Sequence, residues 1–194
     1  MDSACIEHMT LTRLAGRDST LMSRAGNIRL VCFDVDGTLT DGRLFFDSEG
    51  REMKAFHVHD GQGMVLLREM GITVALVTAR NSEVARRRAE DLRIRAYIGV
   101  KDKLACVGEL CAELGIGLDA VCFMGDDLPD LPVMRAVGLS IAPADAHAFT
   151  AERAQLRTHA RAGAGAAREL CDLLIAAQGG FDDPIPTQPT GTLA

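Results

Sequence analysis

Nine residues constrain this chain more than any others. Cys32-Phe33-Asp34-Val35-Asp36-Gly37-Thr38-Leu39-Thr40 brings two carboxylates to the end of an apolar run. Residues 28–33 are mostly branched and apolar, the pattern of a strand buried on both faces of a parallel sheet. Gly37 and Thr38 end that pattern. Asp34 and Asp36, two apart, point the same way for as long as the extended conformation persists. Two anions so close repel unless a proton or a cation stands between them, and a hard, oxygen-seeking ion such as Mg²⁺ suits the pair. One carboxylate can then act as a nucleophile while the other moves a proton. The plainer alternative is that both aspartates cap a turn.

The rest of the chain fits a sheet of that kind. Apolar strand signals at residues 28–33, 72–77, 96–99, 120–124 and 139–142 alternate with helical signals at 63–69, 83–91, 103–114, 129–137 and 165–177. Such alternation predicts an α/β fold, a Rossmann-like open parallel sheet flanked by helices. Residues 44–56 break the rhythm: apolar runs surround Asp47-Ser48-Glu49-Gly50, the signature of a projecting β-hairpin. The expected organisation is an N-terminal extension at 1–27, one domain at 28–178 and a flexible tail at 179–194. The tail is rich in Pro, Thr and Gly and has no periodicity. A chain of 194 residues supplies enough core for one such domain.

Composition excludes several functions. A net charge of −6 argues against a nucleic-acid partner, whose phosphates need a basic stripe. No apolar stretch reaches the roughly 18 residues that cross a bilayer, and residues 1–27 make a poor signal peptide. The six cysteines include no Cys-x-x-Cys pair. They read as reduced thiols in a cytoplasmic protein, with Cys106 and Cys111 off the buried face of their helix.

Four elements stand in order at the carboxyl ends of predicted strands, where open α/β sheets bind ligands. They are Asp34-x-Asp36, Thr78, Lys103 and Gly125-Asp126-Asp127-Leu128-Pro129-Asp130. Singly, Thr78 reads as a helix N-cap, Lys103 as a solvated lysine and Asp126–Asp130 as helix-capping acid. Together, a cation site, a hydroxyl, an ammonium and a further acid are what phosphoryl transfer requires.

This order resembles the haloacid dehalogenase superfamily of phosphotransferases over about residues 28–178. Asp34-Val35-Asp36-Gly37-Thr38 matches its Asp-x-Asp-x-Thr motif, and Thr78, Lys103 and Asp126-Asp127-x-x-Asp130 match the other three. The resemblance implies that Asp34 attacks phosphorus to form an aspartyl-phosphate and that Asp36 protonates the leaving alcohol and later activates water. It also implies Mg²⁺ held by Asp34, the Asp36 main-chain carbonyl and Asp126. Thr78 and Lys103 would bind phosphoryl oxygens, with Asp127 and Asp130 orienting the lysine or the metal's waters.

Neither gap between motifs holds a cap domain. Capless members often oligomerise so that a neighbour covers the site, which implies a homotetramer with the hairpin in its interface. The segments Phe56-His57-Val58-His59-Asp60-Gly61, Gly125 to Met134, Ala144 to His147 and Ala167 to Leu174 look like the members acting on a phosphorylated eight-carbon sugar acid of lipopolysaccharide synthesis. By that resemblance Asp36, His57, His59, Asp60, Gly61, Arg80, Arg88 and Lys103 contact the substrate. A phosphatase for a nine-carbon sialic-type acid phosphate and a non-catalytic regulatory homologue are the alternatives. Two departures stand out. His59 occupies a position where arginine is usual, and Gly163-Ala164-Gly165-Ala166 lacks an expected arginine, for which Arg161 is near enough to substitute. His57 and His59 flank Val58, so a strand there would place both on one face, a spacing that also suits a transition metal.

Overall fold

The computed structural model describes residues 19–180. Six parallel strands form one sheet in the order β5-β4-β1-β6-β7-β8. They are β1 (Leu30–Phe33), β4 (Thr73–Thr78), β5 (Arg95–Ile98), β6 (Val121–Met124), β7 (Leu139–Ala142) and the short β8 (Leu156–Arg157). β1 lies between β4 and β6, so its carboxyl end opens onto the loops that follow both neighbours. A separate antiparallel pair, β2 (Phe45–Phe46) and β3 (Glu52–Met53), is the hairpin.

Helices cover both faces, and the strands distribute their side chains accordingly. Val31 and Phe33 join the core beneath α1 (Ser19–Gly26), α2 (Val58–Glu69), α3 (Glu83–Leu92) and α7 (Ala166–Ala177). Leu30 and Cys32 face the opposite core with Val107, Leu110 and Cys111 of α4 (Lys103–Leu114) and Val133 and Met134 of α5 (Leu131–Ala136). This two-sided burial explains why β1 and β6 are apolar at every position rather than alternating. A one-turn helix, α6 (Ala148–Ala151), precedes β8.

Several sequence expectations change. Part of the expected N-terminal extension is helical, and α1 buries Ala25 in the core. α2 starts at Val58, so His57 is its N-cap and His59 lies in its first turn rather than on a strand. Cys111 faces the core. The predicted helix at 129–137 is a 3₁₀ turn, Leu128–Asp130, followed by α5, because Asp127 and two prolines set a tight start. β8 and α6 are too short to leave a periodic signal. Residues 1–18 of the expected extension and 181–194 of the expected tail lie outside the described residues.

Candidate active site

The loops after β1, β4 and β6 and the start of α4 enclose a cleft of about 170 Å³. Asp34, Asp36, Thr78, Arg80, Lys103, Asp126, Asp127 and Asp130 all line it. Five carboxylates thus meet two cations in a small space. Asp34 follows β1 directly, and its amide donates to the Met124 carbonyl at 2.9 Å, extending the ladder one residue past the strand. Val35 then accepts the amides of Thr38, Leu39 and Thr40 in a tight turn. Gly37 takes φ +87° in that turn, and a Cβ there would strike the Asp126 carboxylate. Glycine therefore lets the first and last acid motifs approach each other.

Lys103 is buried, with its ammonium 2.6 Å from Asp34 Oδ1 and 2.5 Å from Asp130 Oδ1. It opens α4 behind the N-cap Asp102, whose carboxylate accepts the Ala105 amide. The solvated-lysine reading therefore fails. Burial works against the Lys103 charge, but Asp34 and Asp130 outweigh it and hold its pKa above the usual lysine value. The second oxygen of Asp130 accepts the amides of Asp126 and Asp127, at 3.0 and 3.3 Å. Both Asp130 oxygens are thus committed to positioning neighbours. Asp127 is exposed and caps the 3₁₀ turn through the Leu128 amide.

Asp34, Asp126 and Asp130 can each turn an oxygen to within 4.8 Å of the others. Burial raises the Asp34 pKa to about 6, and the Asp130 charge adds to this while Lys103 opposes it. Asp126 rises to about 7 through burial and then the charges of Asp34 and Asp130, against a hydrogen bond from the Thr38 hydroxyl at 3.0 Å. Carboxyls pushed up in this way hold protons that a divalent cation would displace. The donor set is all oxygen, as Mg²⁺ requires. With Asp130 engaged, Asp34 and Asp126 are the pair suited to the ion.

Thr78 ends β4 almost fully buried and accepts the Arg80 amide at 3.3 Å. It is not a helix N-cap: Ser82 caps α3 through the Ala85 amide. The expected substrate contacts divide. Asp36, Arg80 and Lys103 line the cleft. His57, Asp60, Gly61 and Arg88 instead line a small apolar cavity with Leu39, Phe56, Met64, Leu76 and Leu92. His59 is exposed and meets His57 edge to face, ring centres 5.1 Å apart. Asp60 is buried, accepts the Arg168 amide at 2.8 Å near the start of α7, and is raised in pKa by that burial. Within one chain it serves helix packing. Arg161 is exposed and pairs with Asp145 at 3.2 Å.

Sequence reasoning missed a second group of site residues. Lys54, just after β3, ion-pairs with Asp36 and with Glu52 Oε1, the latter at 2.9 Å. Glu52 also accepts the Ser82 hydroxyl at 2.5 Å and Arg80 at 3.2 Å. A lysine in a projecting hairpin reads as a solvated charge. The available signal was spacing: Glu52 and Lys54, two apart, point the same way where extended backbone continues past the strand.

Known proteins agree with this geometry. The chain is 44% identical over 164 residues to the 3-deoxy-D-manno-octulosonate 8-phosphate phosphatase KdsC of Salmonella typhi, spanning 84% of this chain and 87% of that one. A solved structure of a hypothetical protein from Xanthomonas campestris superposes with a TM-score of 0.84 at 58% identity, covering 84% and 90% of the two chains. The Moraxella catarrhalis 3-deoxy-D-manno-octulosonate 8-phosphate phosphatase, solved with magnesium, phosphate and KDO, gives 0.81 at 40% identity, covering 83% and 93%. No protein-family model matches the chain. The chain belongs to the 3-deoxy-D-manno-octulosonate 8-phosphate phosphatase family of the haloacid dehalogenase superfamily.

Proposed function

We propose that this chain hydrolyses 3-deoxy-D-manno-octulosonate 8-phosphate to the free sugar acid and phosphate, with Mg²⁺, through an aspartyl-phosphate on Asp34. The observation that carries this reading is the placement of Asp34 at the floor of the cleft, held by Lys103 at 2.6 Å and within reach of Asp126. The Moraxella relative carries magnesium, phosphate and KDO.

Asp34 attacks phosphorus in line, forming an acyl phosphate as the bond from phosphorus to the sugar oxygen breaks. Lys103 and the Thr78 hydroxyl take the phosphoryl oxygens, and Arg80 at the rim meets the anionic substrate. Asp36 gives its proton to the departing alkoxide, then takes one from the water that cleaves the acyl phosphate and restores Asp34. Mg²⁺, held by Asp34, Asp126 and the Asp36 carbonyl, supplies charge neutralisation that lets an anionic nucleophile approach an anionic ester. Asp130 holds Lys103 and the Asp126 loop in place, and Thr38 fixes the Asp126 carboxylate.

No helix among the described residues is long and apolar enough to cross a membrane. Five cysteines there are free thiols, in keeping with a reducing cytoplasm. The missing cap and the exposed Leu44, Phe45, Phe46 and Met53 support a homotetramer with the hairpin in its interface. A nine-carbon sialic-type acid phosphate is the second reading. It is favoured by His59 and by the missing arginine near Gly163. Rapid quench with the eight-carbon ester, followed by peptide mass spectrometry, should find phosphate on the Asp34 peptide only when Mg²⁺ is present. A label on serine or histidine would overturn the mechanism. Faster turnover of the nine-carbon ester would replace the substrate, as equal failure of every ester would favour a regulatory homologue.

A further inference from the structure

The hairpin contributes a buried cation to the proton-handling side of the cleft. Its side chain is 1% exposed, so the Lys54 ammonium has left water and depends on anionic partners. Those partners are Asp36 Oδ1 and Glu52 Oε1. Glu52 is itself held, because the Ser82 hydroxyl donates to its other oxygen at 2.5 Å and Arg80 Nη2 lies 3.2 Å from Oε1. Ser82 is itself fixed as the N-cap of α3. A continuous chain of charged hydrogen bonds therefore runs from the start of α3 through Ser82, Glu52 and Lys54 to Asp36.

The two oxygens of Asp36 end up in different situations. Oδ1 is tied to Lys54. Oδ2 is buried without a hydrogen-bond partner, with Arg80 Nε 3.6 Å away. A carboxylate pinned at one oxygen cannot rotate freely about its Cβ–Cγ bond, and its other oxygen is left to meet the substrate. Misplacing a proton donor by about 1 Å can cost about 10²-fold in rate.

We propose that Lys54 is a positioning residue: it pins Asp36 Oδ1, so that Oδ2 is the oxygen that hands the proton to the leaving sugar alkoxide. The hairpin thereby completes the acid–base group instead of only decorating the rim. This rests on the phosphatase reading above, in which Asp36 protonates the leaving group.

The test exploits leaving groups that differ in their need for a proton. An alkoxide leaves poorly unless protonated, whereas 4-nitrophenolate leaves with little help. Phosphoryl transfer to the Mg²⁺-loaded enzyme is measured by rapid quench in a single turnover, with 3-deoxy-D-manno-octulosonate 8-phosphate and with 4-nitrophenyl phosphate. Lys54→Met should slow transfer from the sugar ester about 100-fold and from the aryl ester less than about 3-fold. Lys54→Arg, which restores a cation, should recover most of the sugar-ester rate. Glu52→Gln retains Lys54 and loosens it, so it should give the same asymmetry at about 10-fold; it serves as the primary variant should Lys54→Met fail to fold. Equal losses on both esters, or no loss on either, would overturn the positioning role. Failure of the underlying reading looks different: unsubstituted enzyme would then leave no phosphate on Asp34 with either ester.

Discussion

Lys103 and Lys54 are each buried between two carboxylates, yet they stand on different ground. Lys103 opens a 12-residue helix, and its partners Asp34 and Asp130 follow directly from β1 and from the turn after β6. Every backbone segment in that group is pinned by the sheet. Lys54 hangs from a hairpin whose strands are two residues each, with Phe46 and Met53 54% exposed. The side of the cleft that carries Asp34 is thus built into the core. The side that carries Asp36 is supported by an element that is marginal alone. On the phosphatase reading proposed above, the nucleophile would stand on the firmly held side and the sugar would enter past the hairpin.

The hardest test of the rigid side is its proposed nucleophile. Asp34→Asn should lower kcat by about 10⁴-fold or more, since an amide neither attacks phosphorus nor holds the ion well. The fold should survive. One charge leaves an acidic cluster, so the Tm in metal-free buffer should stay level or rise. A large fall in Tm would show that the Asp34 charge stabilises the apo protein through Lys103.

The two lysines should then separate in stability. Removing one member of a buried pair costs about 3–5 kcal/mol, which at this size is a Tm loss of about 10 °C. Lys103→Met should show that loss in metal-free buffer, because among the described residues Asp34 and Asp130 have no other basic side chain in their ion pairs. Lys54→Met should lose less, because Arg80 stays beside both Asp36 and Glu52. Differential scanning calorimetry on both variants decides it. A larger loss at Lys54 would mean that the hairpin is the firmer of the two supports.

Protons sharpen the same contrast. Asp34, at about 6, and Asp126, at about 7, lie above an unfolded carboxylate near 3.9. Between about pH 4 and 7 the native state therefore binds more protons than the unfolded state, so this contribution to stability falls as pH rises. In EDTA the Tm should drop between pH 5 and 8, and Mg²⁺ should remove most of the drop. Asp60 and Asp172, also raised by burial, act in both buffers, so the difference between buffers reports the cleft. A Tm that rises with pH in EDTA would contradict the arrangement. Asp126→Asn should flatten the slope.

How far these groups were legible in the sequence follows the same division. Asp34, Asp36, Thr78, Lys103, Asp126 and Asp130 stand at strand ends, and an apolar run fixes where a strand ends to within a residue or two. That periodicity brought them into one cleft on paper and in the structure. Lys54 and Glu52 were not legible as site residues. Their place depends on how a hairpin folds back over α3's first turn, and no local pattern encodes that path. The His57–Gly61 segment lies apart from the cleft within one chain for a related reason. Its spacing suits a strand, but α2 begins there, so Asp60 turns toward α7 instead of the cleft.

The smallest effect concerns the hairpin tip, and it tests what the exposed side rests on. The turn is held from within: Asp47 Oδ1 accepts the amides of Glu49 and Arg51, and Arg51 closes onto Oδ2 at 2.6 Å. Those bonds shape the turn without burying Leu44, Phe45, Phe46 or Met53, all close to half exposed. Phe56 is different, packing on the core, so the hairpin's exposed apolar side chains are those of Leu44 and its two strands. Such a surface calls for a cover, and the homotetramer proposed above would supply it from a second copy. Replacing Phe45 and Phe46 with Ser should leave the Tm of the single chain nearly unchanged, because neither ring joins a core cluster. It should lower the particle mass seen by light scattering and raise KM about 3- to 10-fold. A hairpin without its cover would hold Lys54, and through it Asp36, less firmly. The double variant should therefore also reproduce, in weaker form, the preference for 4-nitrophenyl phosphate predicted for Lys54→Met. A native protein that scatters as a monomer at micromolar concentration, fully active, would separate the hairpin's support of Asp36 from any neighbour. The hairpin's apolar strands would then need a different partner.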